Sequence, residues 1–210
     1  MPRKIVPLVT GEKYHIYNRG VDKRKIFSSK NDYLRFYQSL LLFNTIAPVQ
    51  NFRLAKSERR TLNSPLVWLE AYCLLPNHFH LLLSPCVEGG ISEFMKRVAG
   101  GYTSFYNEQY ERSGSLFQGT FKRVHIENDE QYRYVFAYVN ENHSVHNIKI
   151  VREIYHSSSL HYQNIARSRA LNSELLHQEY NHAQGVKLAQ MIHTKRKLVT
   201  DTDLTIETHD

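Results

Sequence analysis

The sequence predicts an α+β domain, a ferredoxin-like antiparallel sheet with helices on one side. Three observations carry that expectation. Short alternating or continuously apolar runs bounded by Gly, Pro and Asn mark strands. Longer runs with apolar residues at every third or fourth position mark helices. The two kinds follow one another as strand, helix, hairpin, helix, strand, helix, an order that suits an antiparallel sheet covered by helices.

Tyr14-His15-Ile16-Tyr17-Asn18-Arg19 alternates like a strand and ends in a turn at Gly20, followed by the basic cluster Lys23-Arg24-Lys25. Asn31 or Asp32 can cap the first helix, whose apolar face is Tyr33, Leu34, Tyr37, Leu40 and Leu41, through about Thr45. Residues 51–64 are polar and basic and read as a loop or an irregular hairpin arm. Residues 66–75 form a strand, Pro76-Asn77 supplies the turn, and His78 to Ser84 returns beside it.

After Gly89-Gly90 a long helix is marked by Ile91, Phe94, Met95, Val98, Tyr102, Phe105 and Tyr106, with Lys96 and Arg97 off that stripe. Gly100-Gly101 marks a kink or a close backbone approach. Residues 113–126 read as a turn leading into a strand that carries Lys122 and Arg123. Asn128 and Gln131 form a capping-box arrangement, with Asp129 and Glu130 in the first turn of the next helix. Its core face is Tyr132, Val135, Phe136 and Val139, and it ends near Asn142. The expected organisation is a core domain over 10–143, a helical extension over 144–200 and a flexible tail over 201–210.

At 210 residues the chain can bury a core as one domain with an appendage. Its net charge of +7, with 14 Tyr and 10 Phe, offers phosphate contacts and base-stacking platforms together, which points to a nucleic-acid partner. No apolar run is long enough for a membrane span and the first residues lack the pattern of a signal peptide, so a cytoplasmic location without membrane contact is expected. Two cysteines outside any CxxC pattern, Cys73 and Cys86, read as free thiols in a reducing compartment.

The chemistry concentrates at Asn77-His78-Phe79-His80. Residues i and i+2 of a strand share a face, so both imidazoles converge while Phe79 packs behind them, a geometry that suits a divalent metal. On the last helix, Tyr134, Tyr138 and Asn142 fall on one stripe at the edge of the apolar face. If that stripe meets the histidine strand, two imidazoles, an amide oxygen and a phenol share a cleft. This is chemistry for a phosphate, in which the phenol attacks phosphorus and the metal polarises a non-bridging oxygen.

The block Leu75-Pro76-Asn77-His78-Phe79-His80-Leu81-Leu82-Leu83 resembles the HUH motif of the single-tyrosine transposases, whose middle residue is bulky and hydrophobic. Tyr14 to Gly20, Ile91 to Tyr110, Gly114 to Lys122 and Tyr138 to Asn142 agree in order, and together they resemble the REP-associated tyrosine transposase branch over roughly residues 10–160. The resemblance implies the HUH endonuclease fold, with its RRM-like sheet. It also implies an enzyme that cuts and rejoins single-stranded or hairpin DNA through a 5′-phosphotyrosine link, using Mg²⁺ or Mn²⁺, as a monomer or homodimer. By position, His78 and His80 match the family's metal-binding histidines, Tyr138 its nucleophile, and Asn142 the polar residue that completes the metal shell. His143 departs from the branch, which usually has proline there; Tyr155 to Ser159 echoes the block beyond the helix.

The expected DNA contacts are Arg19, Lys23, Arg24, Lys96, Arg97, Gln118, Lys122 and Arg123, with Phe117 as a stacking platform. Two other readings compete. One is a sequence-specific DNA-binding protein descended from such an enzyme and no longer catalytic. The other is a zinc protein using His78 and His80 with His143 and His146.

Overall fold

Pro76 and Asn77 turn the apolar run of 67–85 back on itself, so that β2 (Val67–Leu75) pairs antiparallel with β3 (His78–Pro85) and Leu75 lies opposite His78. The far edge of β3 takes up β1 (Lys13–Arg19), which in turn pairs with β4 (Lys122–Ile126); the order is β2-β3-β1-β4, all antiparallel. The computed structural model describes residues 7–49, 52–53, 64–146, 156–163 and 182–198. The expected loop over 51–64 lies almost entirely outside these residues, and the tail over 201–210 wholly so.

The sheet is covered on both faces. Phe79, Leu81 and Leu83 of β3 point to one face, where they meet Phe36 and Leu40 of α1 (Lys30–Leu42) and Ile91, Phe94, Val98 and Tyr102 of α2 (Gly90–Gln109). Leu82 points to the other face and joins Ala71, Cys73, Leu75 and Ile126 against Val135, Tyr138 and Val139 of α3 (Asp129–Val145). The expected placement of helices on one side therefore describes α1 and α2, while α3 departs from it. The physical reason is that β2 is apolar on both faces, buried everywhere except Trp68, so the second face also needs an apolar cover. A bulge between Leu69 and Ala71 leaves Glu70 as the extra residue, shifting the alternation so that Tyr72 and Leu74 follow Leu69 onto the α1/α2 face. Buried Glu70 is held by Lys13 at 2.7 Å and by the Ser84 hydroxyl at 2.6 Å.

Element ends differ locally from expectation. Helix α1 is capped by Ser29 rather than by Asn31 or Asp32: its side chain accepts the Asp32 N–H while Asp32 accepts the Ser29 N–H, a reciprocal pair, and the helix stops at Leu42. Helix α2 runs unbroken through Gly100-Gly101, where Phe43 seats so close that a Cβ on Gly101 would lie 2.8 Å from its ring; the close approach, not the kink, is what glycine serves. Asn128 caps α3 as expected by accepting the Gln131 N–H at 2.9 Å, but the reciprocal half of the expected capping box is not made, because Gln131 Oε1 accepts the Glu127 N–H at 2.7 Å instead. That helix passes Asn142 and ends at Val145, with His146 as its C-cap. The core also reaches past residue 143. His156 to Ser158 extends the β2 edge through Leu74 N–H to the His156 carbonyl and Ser158 N–H to the Tyr72 carbonyl. The short α4 (Ser159–Tyr162) buries Leu160 and Tyr162, and α5 (His182–Leu198) lies along α3. Cys73 and Cys86 are free thiols. No helix among the described residues is long and apolar enough to cross a membrane.

Candidate active site

Strand β3 delivers His78 and His80 to the α3 face, their rings 5.0 Å apart and nearly perpendicular. Across the ladder, Tyr17 is the register partner of His80 and Arg19 of His78. His80 is fully buried, and its Nδ1 lies 2.9 Å from Nε2 of His15, itself fully buried on β1. His78 donates from Nδ1 to the Asn77 carboxamide oxygen at 2.6 Å. Burial, and after it the neighbouring His146 and Arg19, lowers the His78 pKa to about 3. The ring is therefore neutral near pH 7, the form in which an imidazole binds a cation.

Helix α3 closes the site from above. The Tyr138 ring stands edge-on to His80 with 5.4 Å between centroids, and edge-on to His15 at 6.0 Å. Two turns later the His146 ring lies 5.7 Å from His78. Asn142, midway between them on the same stripe, is fully buried, and among the described residues neither its Oδ1 nor its Nδ2 has a hydrogen-bond partner. Each unpaired buried polar group costs about 1–3 kcal/mol, so this carboxamide is expensive unless something else engages it. The stripe reaches His146 because position 143 is His: a proline there would remove the N–H needed for another turn. His143 itself is buried beside Glu141 and Ser144, and burial lowers its pKa. Tyr134, one turn before Tyr138, is only partly buried on the cluster around Ile126 and Val135.

Sequence reasoning missed two sets of residues. His15 sits one strand over from His80, and only the register shows that the two meet. Ser157, Ser158 and Ser159 pin the tyrosine helix to the β2 edge. The Ser157 hydroxyl donates to the Asn140 carbonyl and that of Ser158 to Asn140 Oδ1, both at 2.6 Å, while that of Ser159 donates to Glu141 Oε1 at 2.9 Å. Glu141, wholly buried, also meets His182 of α5 at 3.0 Å.

The expected DNA contacts divide. Arg19 and Lys122 lie on the histidine face, Lys122 with its ammonium 5.8 Å from the Tyr17 ring centre. Lys23 and Arg24 sit in the exposed turn after β1, and exposed Gln118 is tied to Arg19 through its backbone. Arg123 alternates to the opposite face, and exposed Lys96 rides α2 on that side. Two assignments need correction. The Arg97 guanidinium is taken up by Glu93 and by the carbonyls of Thr45 and Ala47, with 17% of the side chain exposed, because it braces the end of α1 against α2. Phe117 is 5% exposed and packs edge-on to Phe79, so it belongs to the core and cannot stack on bases. The zinc arrangement is not built: among the described residues no three His, Cys, Asp or Glu side chains group to hold a metal, and His143 faces Glu141 instead.

An antiparallel sheet whose histidine pair faces a helix-borne tyrosine defines the HUH endonuclease fold. A family model described as IS200-like transposase matches residues 9–142, and the chain belongs to that family. Among solved structures it is similar to a REP-associated tyrosine transposase bound to a REP hairpin, with a TM-score of 0.51 and 14% identity, covering 86% of this chain and 94% of that one. No curated protein sequence matches it.

Proposed function

We propose that this chain is a transposase of the REP-associated kind, which cuts and rejoins single-stranded or hairpin DNA through a 5′-phosphotyrosine intermediate. The observation that carries the reading is the stripe Tyr138, Asn142, His146 lying along His80 and His78, with a buried, unpartnered carboxamide at its centre. His78, His80 and Asn142 fit a divalent cation: two imidazoles, one of them held neutral, and an amide oxygen with no other partner among the described residues. Bound there, Mg²⁺ or Mn²⁺ would act as a Lewis acid on a non-bridging phosphate oxygen.

The remaining work falls to the chain's own groups. The Tyr138 phenol loses its proton and forms a bond to phosphorus as the bond to the 3′-oxygen breaks. That oxygen takes up a proton and leaves as a free hydroxyl. Arg19 and Lys122 hold flanking phosphates on the same face. In this reading the tyrosine helix serves the histidine strand of its own chain, and the protein acts as a monomer or homodimer. A descendant that only binds DNA would have no use for a buried, unpaired amide beside a histidine pair, and this favours the catalytic reading. The test is incubation of REP-type hairpin oligonucleotides with the protein and Mn²⁺. A covalent adduct and a released 3′-hydroxyl strand are expected; binding without any adduct, with or without the ion, would leave only the binding function.

A further inference from the structure

Both histidines have their Nδ1 engaged by a neighbour that takes no part in the chemistry above. At His78 the neighbour is Asn77. Its carboxamide oxygen can only accept, so His78 Nδ1 carries the proton and Nε2 the lone pair. The amide's orientation is set independently, because Asn77 Nδ2 donates to the Lys23 carbonyl at 3.4 Å. The backbone around it is clamped as well: Gly20 N–H bonds the Asn77 carbonyl at 2.9 Å, and Ile26 and Phe27 N–H both bond the Pro76 carbonyl, at 2.7 and 3.0 Å. The turn after β1 thus grips the turn before β3 and holds the carboxamide against His78.

At His80 the neighbour is His15, whose Nε2 lies 2.9 Å from His80 Nδ1 with both rings buried and stacked at 5.1 Å. Two imidazole nitrogens at that distance must share one proton, either on His80 Nδ1 or on His15 Nε2. Only the first choice leaves His80 Nε2 with its lone pair, matching His78.

We propose that Asn77 and His15 are positioning residues, one for each histidine, which hold His78 and His80 as Nδ1–H tautomers and so present both Nε2 atoms to one cation. The inference rests on the reading of the two histidines as cation ligands. Hydrogen bonds from the far nitrogen of a ligating histidine fix its tautomer and ring orientation, and their loss lowers metal affinity by about 10- to 100-fold.

The first readout needs neither metal nor activity. Long-range ¹H–¹⁵N correlation spectra of the metal-free, ¹⁵N-histidine-labelled chain report the tautomer of each ring, and Nδ1–H is expected for His78 and His80. The second readout is Mn²⁺ affinity by calorimetry. Asn77→Leu and His15→Leu should each weaken it by about 10- to 100-fold. Asn77→Asp and His15→Gln, which keep an acceptor in place, should restore most of it, and hairpin DNA binding without metal should not change. An Nε2–H tautomer at either histidine of the wild type would overturn the proposal. So would folded leucine variants with wild-type Mn²⁺ affinity. A wild type with Nδ1–H at both histidines that binds no Mn²⁺ would support the positioning and overturn the cation reading of the site.

Discussion

The edge of the Tyr138 ring meets the face of the site at His80, 5.4 Å between ring centres, on a helix that lies across the sheet face opposite α1 and α2. This relationship fixes the order of the other groups. With Tyr138 over His80 and His146 over His78, the residue midway along the helix stands over the gap between the two imidazoles. That residue is Asn142, whose buried Oδ1 and Nδ2 have no hydrogen-bond partner among the described residues.

Asn142→Leu removes both unpaired groups and keeps the volume similar. The metal-free protein should then gain about 1–3 kcal/mol of stability for each group removed, measured by urea unfolding in EDTA, while divalent-dependent cleavage is lost. A variant less stable than wild type in EDTA would mean that the amide is satisfied within the protein.

Arg19 and Lys122 share the histidine face, whereas Arg97 is a brace. Neutralising either of the first two should weaken oligonucleotide binding and reduce the slope of log affinity against log salt by about 0.7–0.9 per residue. Arg97→Gln should leave that slope alone and cost about 1–3 kcal/mol of stability, since three acceptors lose their donor. Anisotropy titrations at several salt concentrations, paired with melts, separate the two; an Arg97→Gln variant with a reduced slope would count against the division.

Ser158 joins the β2 edge to the tyrosine helix: its hydroxyl accepts the Tyr72 N–H at 2.9 Å and donates to Asn140 Oδ1 at 2.6 Å, all buried. Ser158→Ala strands both partners and should cost about 1–3 kcal/mol for each. Faster amide exchange at Tyr72 and a lower cleavage rate should accompany the loss. Exchange at wild-type rates would show that the serine is not the pin.

Burial of His156 against Tyr33 lowers its pKa, burial outweighing the hydrogen bond from its ring N–H to the Leu74 backbone that acts the other way. The folded state thus binds the proton less readily than the unfolded one, whose histidine titrates near 6.5. Stability from this group is full above about 6.5 and declines as pH falls through and below that value. His156→Leu should flatten the stability profile below pH of about 6.5; an unchanged slope would place the acid sensitivity elsewhere.

Much of this was legible in the sequence because it is local. The strand alternation of 14–19, the Pro76-Asn77 reversal, the Asn128 cap and the stripe of Tyr138 and Asn142 depend on neighbours a few residues away. Ser29 was legible too, since Ser29-x-x-Asp32 has the spacing of a capping box, but the residues inside the helix drew the reading. The partnership of His15 with His80 depends on strand register, and that of Ser158 with Asn140 on a return of the chain to the β2 edge. No periodicity encodes either. Phe117 was misread because an aromatic in a basic protein suits a stacking platform and a core equally well. What decides is the antiparallel bridge between Gly20 and Phe117, which draws the ring under the sheet against Phe79. The side of the sheet that α3 occupies is likewise a tertiary property, set by the two-faced apolar character of β2.

The central claim is that Tyr138, and not another of the 14 tyrosines, forms the covalent link to DNA. Tyr138→Phe keeps the ring against His80 and removes only the hydroxyl, so folding and hairpin binding should persist while the adduct disappears; Tyr134→Phe should retain it. The most direct measurement is mass-spectrometric mapping of the phosphotyrosine–nucleotide peptide after incubating the wild type with a hairpin oligonucleotide and Mn²⁺. The account predicts a single modified residue, Tyr138. A nucleotide mapped to Tyr134 or to any other tyrosine would contradict it.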